Sequence, residues 1–108
     1  MIKRISLVWK RDELTRGEFA AIWLGEHADV ARRLPRLREY VIDIVDEPVG
    51  DGPDGIATVR FDSREDCDAA FGLPELAEPL LRTRNDFAKH VDVVFVDENV
   101  VHSEAMSS

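Results

Sequence analysis

The side chain with the clearest potential for chemistry in this sequence is His27, which follows Phe19 and Trp23 at steps of four residues. Residues four apart lie on the same face of a helix, so these three rings are expected to share one surface. The fold sets the pKa and the tautomer of an imidazole on an apolar face. His27 is therefore a candidate general base, and the competing interpretation is a structural histidine of the core.

The element that positions His27 is predicted to be one amphipathic helix over residues 15–34. Thr15 is a suitable N-cap, and Glu18 stands where the partner in a capping box belongs. Pro35 ends the helix because it disfavours helical geometry at the residue before it. The apolar positions that recur with helical spacing are Phe19, Ile22, Trp23, Val30, Ala31 and Leu34.

Strands and further helical segments are predicted on either side of this helix. Apolar runs indicate strands over residues 2–9, 38–45, 55–61 and 91–96, with a short edge strand over 100–101. The turn-rich stretch 46–54 is a hairpin loop, and its aspartates lack the spacing of a calcium-binding loop.

Two helical segments are predicted between the third and fourth strands. Asp62 or Ser63 caps the first segment, which ends near Gly72. Pro74 starts the second segment, which Pro79 limits or kinks.

The order of elements, βαββαβ, predicts an α+β fold: a ferredoxin-like sandwich whose four-stranded antiparallel sheet carries the helices on one face. In the first strand, the side chains of Ile5, Leu7 and Trp9 are expected to face the helices. The other face of the sheet then mixes apolar and charged side chains, among them Val8 and Arg4. A symmetric homodimer that packs sheet against sheet would cover that face.

Composition narrows the class of partner. The chain has 108 residues and a net charge of -8, so one domain is expected over residues 1–102, followed by a flexible tail over 103–108. The acidic balance disfavours nucleic acid and membranes as partners. The single cysteine, Cys67, allows no intrachain disulfide, which favours a cytoplasmic location. The sequence has no phosphate-binding loop, serine-hydrolase motif or metal-ligand spacing, so no metal is predicted.

Several short runs resemble the EthD family of dimeric α/β-barrel proteins. The resemblance covers residues 2–102, and members typically carry glycine where this chain has Arg36. The runs that carry the resemblance are Trp23-Leu24-Gly25-Glu26-His27, Leu34-Pro35-Arg36-Leu37-Arg38-Glu39-Tyr40, Asp54-Gly55-Ile56-Ala57 and Asn85-Asp86-Phe87.

This resemblance implies a homodimer with a ligand site between the helices and the sheet, into which the histidine of the first helix points. The wider superfamily includes isomerases, polyketide cyclases, cofactor-independent monooxygenases of phenolic substrates and haem-degrading enzymes. The fold by itself does not decide among these reactions.

The residues predicted to surround an apolar pocket are Trp9, Trp23, Tyr40, Cys67 and Phe87. Such a pocket suits a small hydrophobic or aromatic ligand. His27 would remove a proton next to a carbonyl, and Tyr40 would donate to the enolate oxygen, in an isomerisation or aldol-type cyclisation that needs no cofactor.

Other interpretations stay open at this point. The protein could oxidise a phenolic substrate without a cofactor, or bind a hydrophobic ligand without catalysis, and His27 could serve as an axial ligand of haem. The tryptophans could be core residues, and Cys67 a small buried hydrophobe. A patch at Arg32, Arg33, Arg36 and Arg38 could hold a substrate carboxylate, although a solvated helix end is favoured.

Overall fold

A four-stranded antiparallel sheet with helices on one face makes up the fold in the computed structural model, which describes residues 1–106. The strands are β1 (Ile2–Lys10), β2 (Glu39–Ile44), β3 (Gly55–Phe61) and β4 (Ala88–Asp97). Their order in the sheet is β2-β3-β1-β4, and every neighbouring pair is antiparallel. The predicted ferredoxin-like α+β fold is thereby confirmed. The last two residues of the predicted tail, 107–108, lie outside the described residues.

The first helical region consists of α1 (Arg16–Ile22), a π-helical turn (Trp23–His27) and α2 (Ala28–Ala31). The predicted cap is confirmed, because the Thr15 hydroxyl accepts from the Glu18 amide at 3.1 Å and the Glu18 carboxylate accepts from the Thr15 amide at 2.9 Å. The prediction of one regular helix is wrong. Gly25, with φ -87° and ψ -116°, leaves helical geometry inside the wide turn, and such turns occur often at functional sites.

The remaining helices are α3 (Arg64–Phe71) and α4 (Pro74–Asn85). Ser63 caps α3, accepting from the Asp66 amide at 3.1 Å. Pro79 does not end α4, which continues to Asn85, because the burial of Leu76, Leu80 and Thr83 against the core holds the helix together. Within residues 1–106, no helix is both long and apolar enough to cross a bilayer.

β4 is longer than predicted and leaves more side chains exposed. A continuous apolar run such as that over residues 91–96 predicts a strand buried on both faces, but Val93 and Val94 are 38% and 45% exposed in the protomer. The predicted edge strand over residues 100–101 does not form.

The orientation of β1 is the reverse of the prediction. Ser6 and Val8 are buried beneath the helices, and the half-buried Arg4 lies on the same face, whereas Ile5 and Leu7 lie on the opposite side of the sheet, here called the outer face. The prediction failed because both alternating sets of β1 contain apolar residues, and the more apolar set was assigned to the helices.

The chain turns into β2 through Arg36, whose φ of 64° places it in the left-handed region. Glycine adopts this conformation at the lowest cost. The Arg36 guanidinium reaches Asp66 of α3 at 2.9 Å, so an exposed ion pair accompanies the turn.

An aromatic cluster joins the first helical region to the sheet. The rings of Trp23 and Phe87 are stacked with centroids 5.1 Å apart, and Phe19 contacts both. The indole of Trp23 also lies directly against Gly55, the first residue of β3. A Cβ atom on Gly55 would overlap Cζ3 of Trp23 and lie 3.1 Å from Cη2. Close helix-to-sheet packing therefore requires glycine at this position.

Substitution of Gly55 by alanine is predicted to destabilise the fold by about 1–3 kcal/mol, because the added Cβ would push the buried indole out of its packing against Phe87 and the sheet. Urea denaturation followed by circular dichroism measures this loss. Gly17→Ala is a matched control, since the nearest atom to a Cβ at that exposed helical glycine lies 4.0 Å away. Equal stability of Gly55→Ala and the wild type would contradict the prediction.

Candidate functional site

A cavity of about 270 Å³ lies between the sheet and the helices. Trp23 and His27 of the π-helical turn, Tyr40 of β2, and Leu80 and Arg84 of α4 contribute to its wall. Small-molecule sites usually enclose roughly 300–1,000 Å³. The cavity is near the lower end of that range and suits a ligand of one or two rings.

Four of the six predicted site residues border this cavity: His27, Tyr40, Trp23 and Phe87. They come from three separate parts of the chain, and the sheet and helix packing brings them together. The other two, Trp9 and Cys67, do not border the cavity.

The predicted placement of Trp9 on the pocket wall is wrong. Its indole N–H donates to the Asp51 carbonyl oxygen at 2.8 Å, and its ring lies 5.1 Å from that of His90. The reversed orientation of β1 is the cause, since Trp9 shares a face with Ile5 and Leu7 rather than with Val8.

Cys67 is likewise away from the cavity wall. It is 1% exposed and packs in the core between α3 and the sheet, near Val59 and Phe61. Burial raises the pKa of its thiol, the charge of Arg4 opposes this effect, and the charge of Asp68 adds to it. Cys67 is therefore a small buried hydrophobe, and it does not share the cavity with His27.

Hydrogen bonds fix the tautomer of His27. Its Nδ1 lies 2.7 Å from the hydroxyl oxygen of Thr83, and that hydroxyl lies 2.7 Å from the carbonyl oxygen of Pro79. A hydroxyl has one proton and a carbonyl oxygen can only accept. Both contacts are hydrogen bonds only if Thr83 donates to Pro79 and His27 donates from Nδ1. This network assigns the lone pair of the imidazole to Nε2.

The environment keeps the imidazole neutral. Burial and, to a smaller extent, the positive charge of Arg84 lower the pKa of His27 to about 4, against the opposing effect of the Leu80 carbonyl. The ring also meets Phe87 edge-on, with centroids 5.1 Å apart. His27 is therefore an uncharged base with a defined orientation at neutral pH.

Tyr40 supplies a neutral phenol at the same cavity. Burial raises its pKa, while a hydrogen bond from Trp23 and the charge of Arg32 lower it to a smaller extent. The phenol keeps its proton at neutral pH and is able to donate a hydrogen bond to a ligand oxygen.

Sequence reasoning missed several polar groups that line the cavity or contact its wall residues. Thr83, which is 2% exposed and orients His27, lies on the apolar side of α4. Arg4 and Ser6 were expected on the outer face, and Arg84 was not considered. The sequence did contain a sign that Arg4 and Ser6 have a special role, because these two polar residues interrupt the apolar residues of a strand. The surface arginines weighed earlier are instead paired with carboxylates at three positions: Arg32 with Asp29, Arg36 with Asp66 and Arg38 with Asp62.

Comparison with solved structures finds the same architecture in proteins of low sequence identity. An ethyl tert-butyl ether d (ethd) family protein from Bacillus halodurans is 24% identical, with a TM-score of 0.73 over 92% of this chain and 99% of that one. A dimeric protein of unknown function and ferredoxin-like fold from Bacteroides fragilis is 15% identical, with a TM-score of 0.67 and coverage of 90% and 95%. A hydroxynitrile lyase from Passiflora edulis is 16% identical, with a TM-score of 0.68 and coverage of 94% and 96%.

The sequence itself identifies the family. No curated protein matches the chain, but the family model of the EthD domain matches residues 11–92. This segment contains α1, both strands of the β2–β3 hairpin, and the helices that enclose the cavity. Because the match spans most of its length, this chain belongs to the EthD domain family.

Proposed function

We propose that this protein catalyses the isomerisation or aldol-type cyclisation of a small aromatic or polyketide-like carbonyl compound, without a cofactor and with His27 as the general base. The observation that carries the proposal is the hydrogen bond between His27 Nδ1 and Thr83, because it orients a neutral imidazole at the cavity wall.

The proposed reaction begins with proton transfer. Nε2 of His27 takes a proton from the carbon next to the carbonyl, and the electron pair of the broken C–H bond moves to the carbonyl oxygen as an enolate. The Tyr40 phenol donates a hydrogen bond to this oxygen. The imidazolium then returns its proton to another carbon in an isomerisation, or to the new alkoxide after C–C bond formation in a cyclisation.

The apolar lining of the cavity supports an aromatic ligand. Phe87 and Trp23 present a stacked pair of rings, and Val8 and Leu80 contribute aliphatic surface. Flat hydrophobic ligands bind well against such surfaces. The same lining also supports a second candidate function, the binding of a hydrophobic ligand without turnover.

The protein is further proposed to act as a homodimer that packs through the outer face. Ile5 and Leu7 of β1 lie opposite Thr58 and Ile56 of β3 in the sheet register, and Ile5 also lies opposite Val94 of β4. Apolar side chains of this kind are typical of the centre of a homodimer interface. The similar fold of the dimeric protein from Bacteroides fragilis supports the homodimer.

His27→Ala is predicted to lower base-catalysed deuterium exchange by about 100-fold or more, since the variant lacks the proton acceptor. Phenylacetone and phenylpyruvate are incubated with the protein in D2O, and NMR follows exchange at the carbon next to the ketone. His90→Ala is the matched control, because His90 is exposed and paired with Asp92 outside the cavity. If either compound binds but its exchange is no faster with the wild type than with His27→Ala, the second candidate function, ligand binding without turnover, is favoured.

The stability of the fold is predicted to depend on His27 between pH 6.5 and pH 4. In this range the unfolded chain protonates the histidine, while burial and Arg84 keep the folded ring neutral down to a pKa of about 4. The unfolded state binds more protons, so the free energy of unfolding falls as the pH falls through this window.

His27→Gln lacks this contribution. From pH 7 to pH 4 the wild type is expected to lose about 2 kcal/mol more than His27→Gln, after allowance for partial solvent screening. Urea titrations of both proteins at pH 7 and pH 4 measure the loss in the free energy of unfolding for each. Subtracting one loss from the other removes the contributions of the other titrating groups, because both proteins share them. Parallel losses of stability would show that the folded pKa of His27 is not depressed.

Val94→Glu is predicted to convert the dimer to a monomer, because it introduces a charge opposite Ile5 at the centre of the outer face. Light scattering after size exclusion measures the mass relative to the 12.2 kDa of one chain. Val49→Glu is the matched control, since Val49 is 87% exposed in the β2–β3 loop. A monomeric wild type, or a dimeric Val94→Glu, would contradict the proposed interface.

A further inference from the structure

Two arginines give the cavity a positive charge that the protein does not neutralise. Arg4 of β1 and Arg84 of α4 both border it, and no aspartate or glutamate of the described chain does. We propose that these two guanidinium groups bind a carboxylate of the ligand, so that the substrates are aromatic or polyketide-like carboxylic acids. This inference rests on the proposed function and narrows its substrate class.

The lack of a protein counter-ion distinguishes these arginines from most others in the chain. Seven arginines in residues 1–106 form ion pairs with carboxylates, and neither Arg4 nor Arg84 does so. In a chain with 22 acidic and 14 basic residues, carboxylates are abundant. Two neighbouring arginines without one therefore indicate a position where the negative charge comes from a ligand.

A hydrogen-bond donor without a partner also indicates that the ligand carboxylate binds at Arg84. Nε of Arg84 is buried and has no hydrogen-bond partner. A buried donor without an acceptor is unfavourable, and a ligand carboxylate would supply the acceptor. The planar guanidinium is also the donor group that best matches the two oxygens of a carboxylate.

Contacts on other sides hold the Arg4 side chain in place. Its Nη1 donates to the hydroxyl oxygen of Ser6 at 3.2 Å, and its guanidinium lies 4.1 Å from the centroid of Phe71. The acidic side chain that influences Arg4, Asp68, accepts a hydrogen bond from Arg64 at 3.0 Å instead. Arg4 is thus oriented but not neutralised.

The charge of Arg84 also connects the proposed carboxylate site to the general base. Arg84 lowers the pKa of both Arg4 and His27, so its charge acts on both of these groups. A bound carboxylate would offset the positive charge of Arg84 and thereby strengthen His27 as a base. An acidic substrate would therefore activate the base that acts on it, whereas a neutral analogue would not.

Calorimetric titration with a matched pair of probes, 2-naphthoate and 2-naphthamide, tests the assignment. The two share a ring system and differ in the charge of one group. The wild type is expected to bind the carboxylate at least 10-fold more tightly than the amide. Arg84→Met is expected to lose at least 10-fold in affinity for 2-naphthoate and less than threefold for 2-naphthamide.

Three further variants separate recognition of the carboxylate from an effect on folding. Arg4→Met is expected to show the same selective loss as Arg84→Met, and Arg84→Lys a smaller loss because it keeps the charge without the planar fork. Arg33→Met is the matched control, since Arg33 is exposed and outside the cavity. NMR titration should also show a higher His27 pKa in ligand-free Arg84→Met than in the wild type, a readout that needs no ligand.

The outcomes distinguish this inference from the function on which it rests. Equal binding of the two naphthalene probes by the wild type, or an equal loss for both in Arg84→Met, would overturn the carboxylate site and leave the ligand cavity standing. If neither probe binds, the inference and the proposed ligand cavity both fail. Inorganic phosphate that displaces 2-naphthoate at lower concentration than acetate would overturn the assignment to a carboxylate in favour of a phosphate.

Discussion

The contact between Trp23 and Gly55 is the constraint on which the rest of the structure depends. Because Gly55 has no side chain, the indole reaches the backbone of β3 and holds the first helical region close to the sheet. Phe87 stacks on the other side of the indole, so three distant segments of the chain meet at one ring. The π-helical turn begins at Trp23, and its position relative to the sheet therefore determines where His27 lies.

Buried side chains fill part of the layer between the helices and the sheet, and the cavity occupies the rest. The aromatic cluster around Trp23 and the aliphatic core around Val59 are both buried, and the cavity borders on each of them. Polar side chains line this space, among them Arg4, which donates to Ser6, and His27, which Thr83 orients from behind the wall. In a chain selected only for stability, apolar side chains would fill such a space. Polar groups placed here, in surroundings of low dielectric, interact strongly with one another.

The two faces of the sheet therefore carry different kinds of residue. The face toward the helices holds Arg4, Ser6 and Tyr40 along with its apolar core residues. The outer face presents Ile5, Leu7 and Ile56 at its centre, and the charged residues Lys3, Asp43 and Arg60 share that face. A largely apolar cavity with a few polar groups inside, and an apolar centre on the outer face, are consistent with a protomer that binds its ligand under the helices and its partner through the sheet.

The sequence by itself determined the order of elements, the cap at Thr15, the start of α3 at Asp62 or Ser63, the four main strands and the position of His27 on the first helical region. These features depend on local spacing and on side-chain contacts within a few residues, which a sequence displays directly. Only the tertiary structure decided which face of β1 meets the helices, because both alternating sets of its residues contain apolar side chains. It likewise decided that Thr83 meets His27 and that Arg4 and Arg84 share a cavity, since those contacts join residues 56 and 80 positions apart, a separation at which no local pattern carries information.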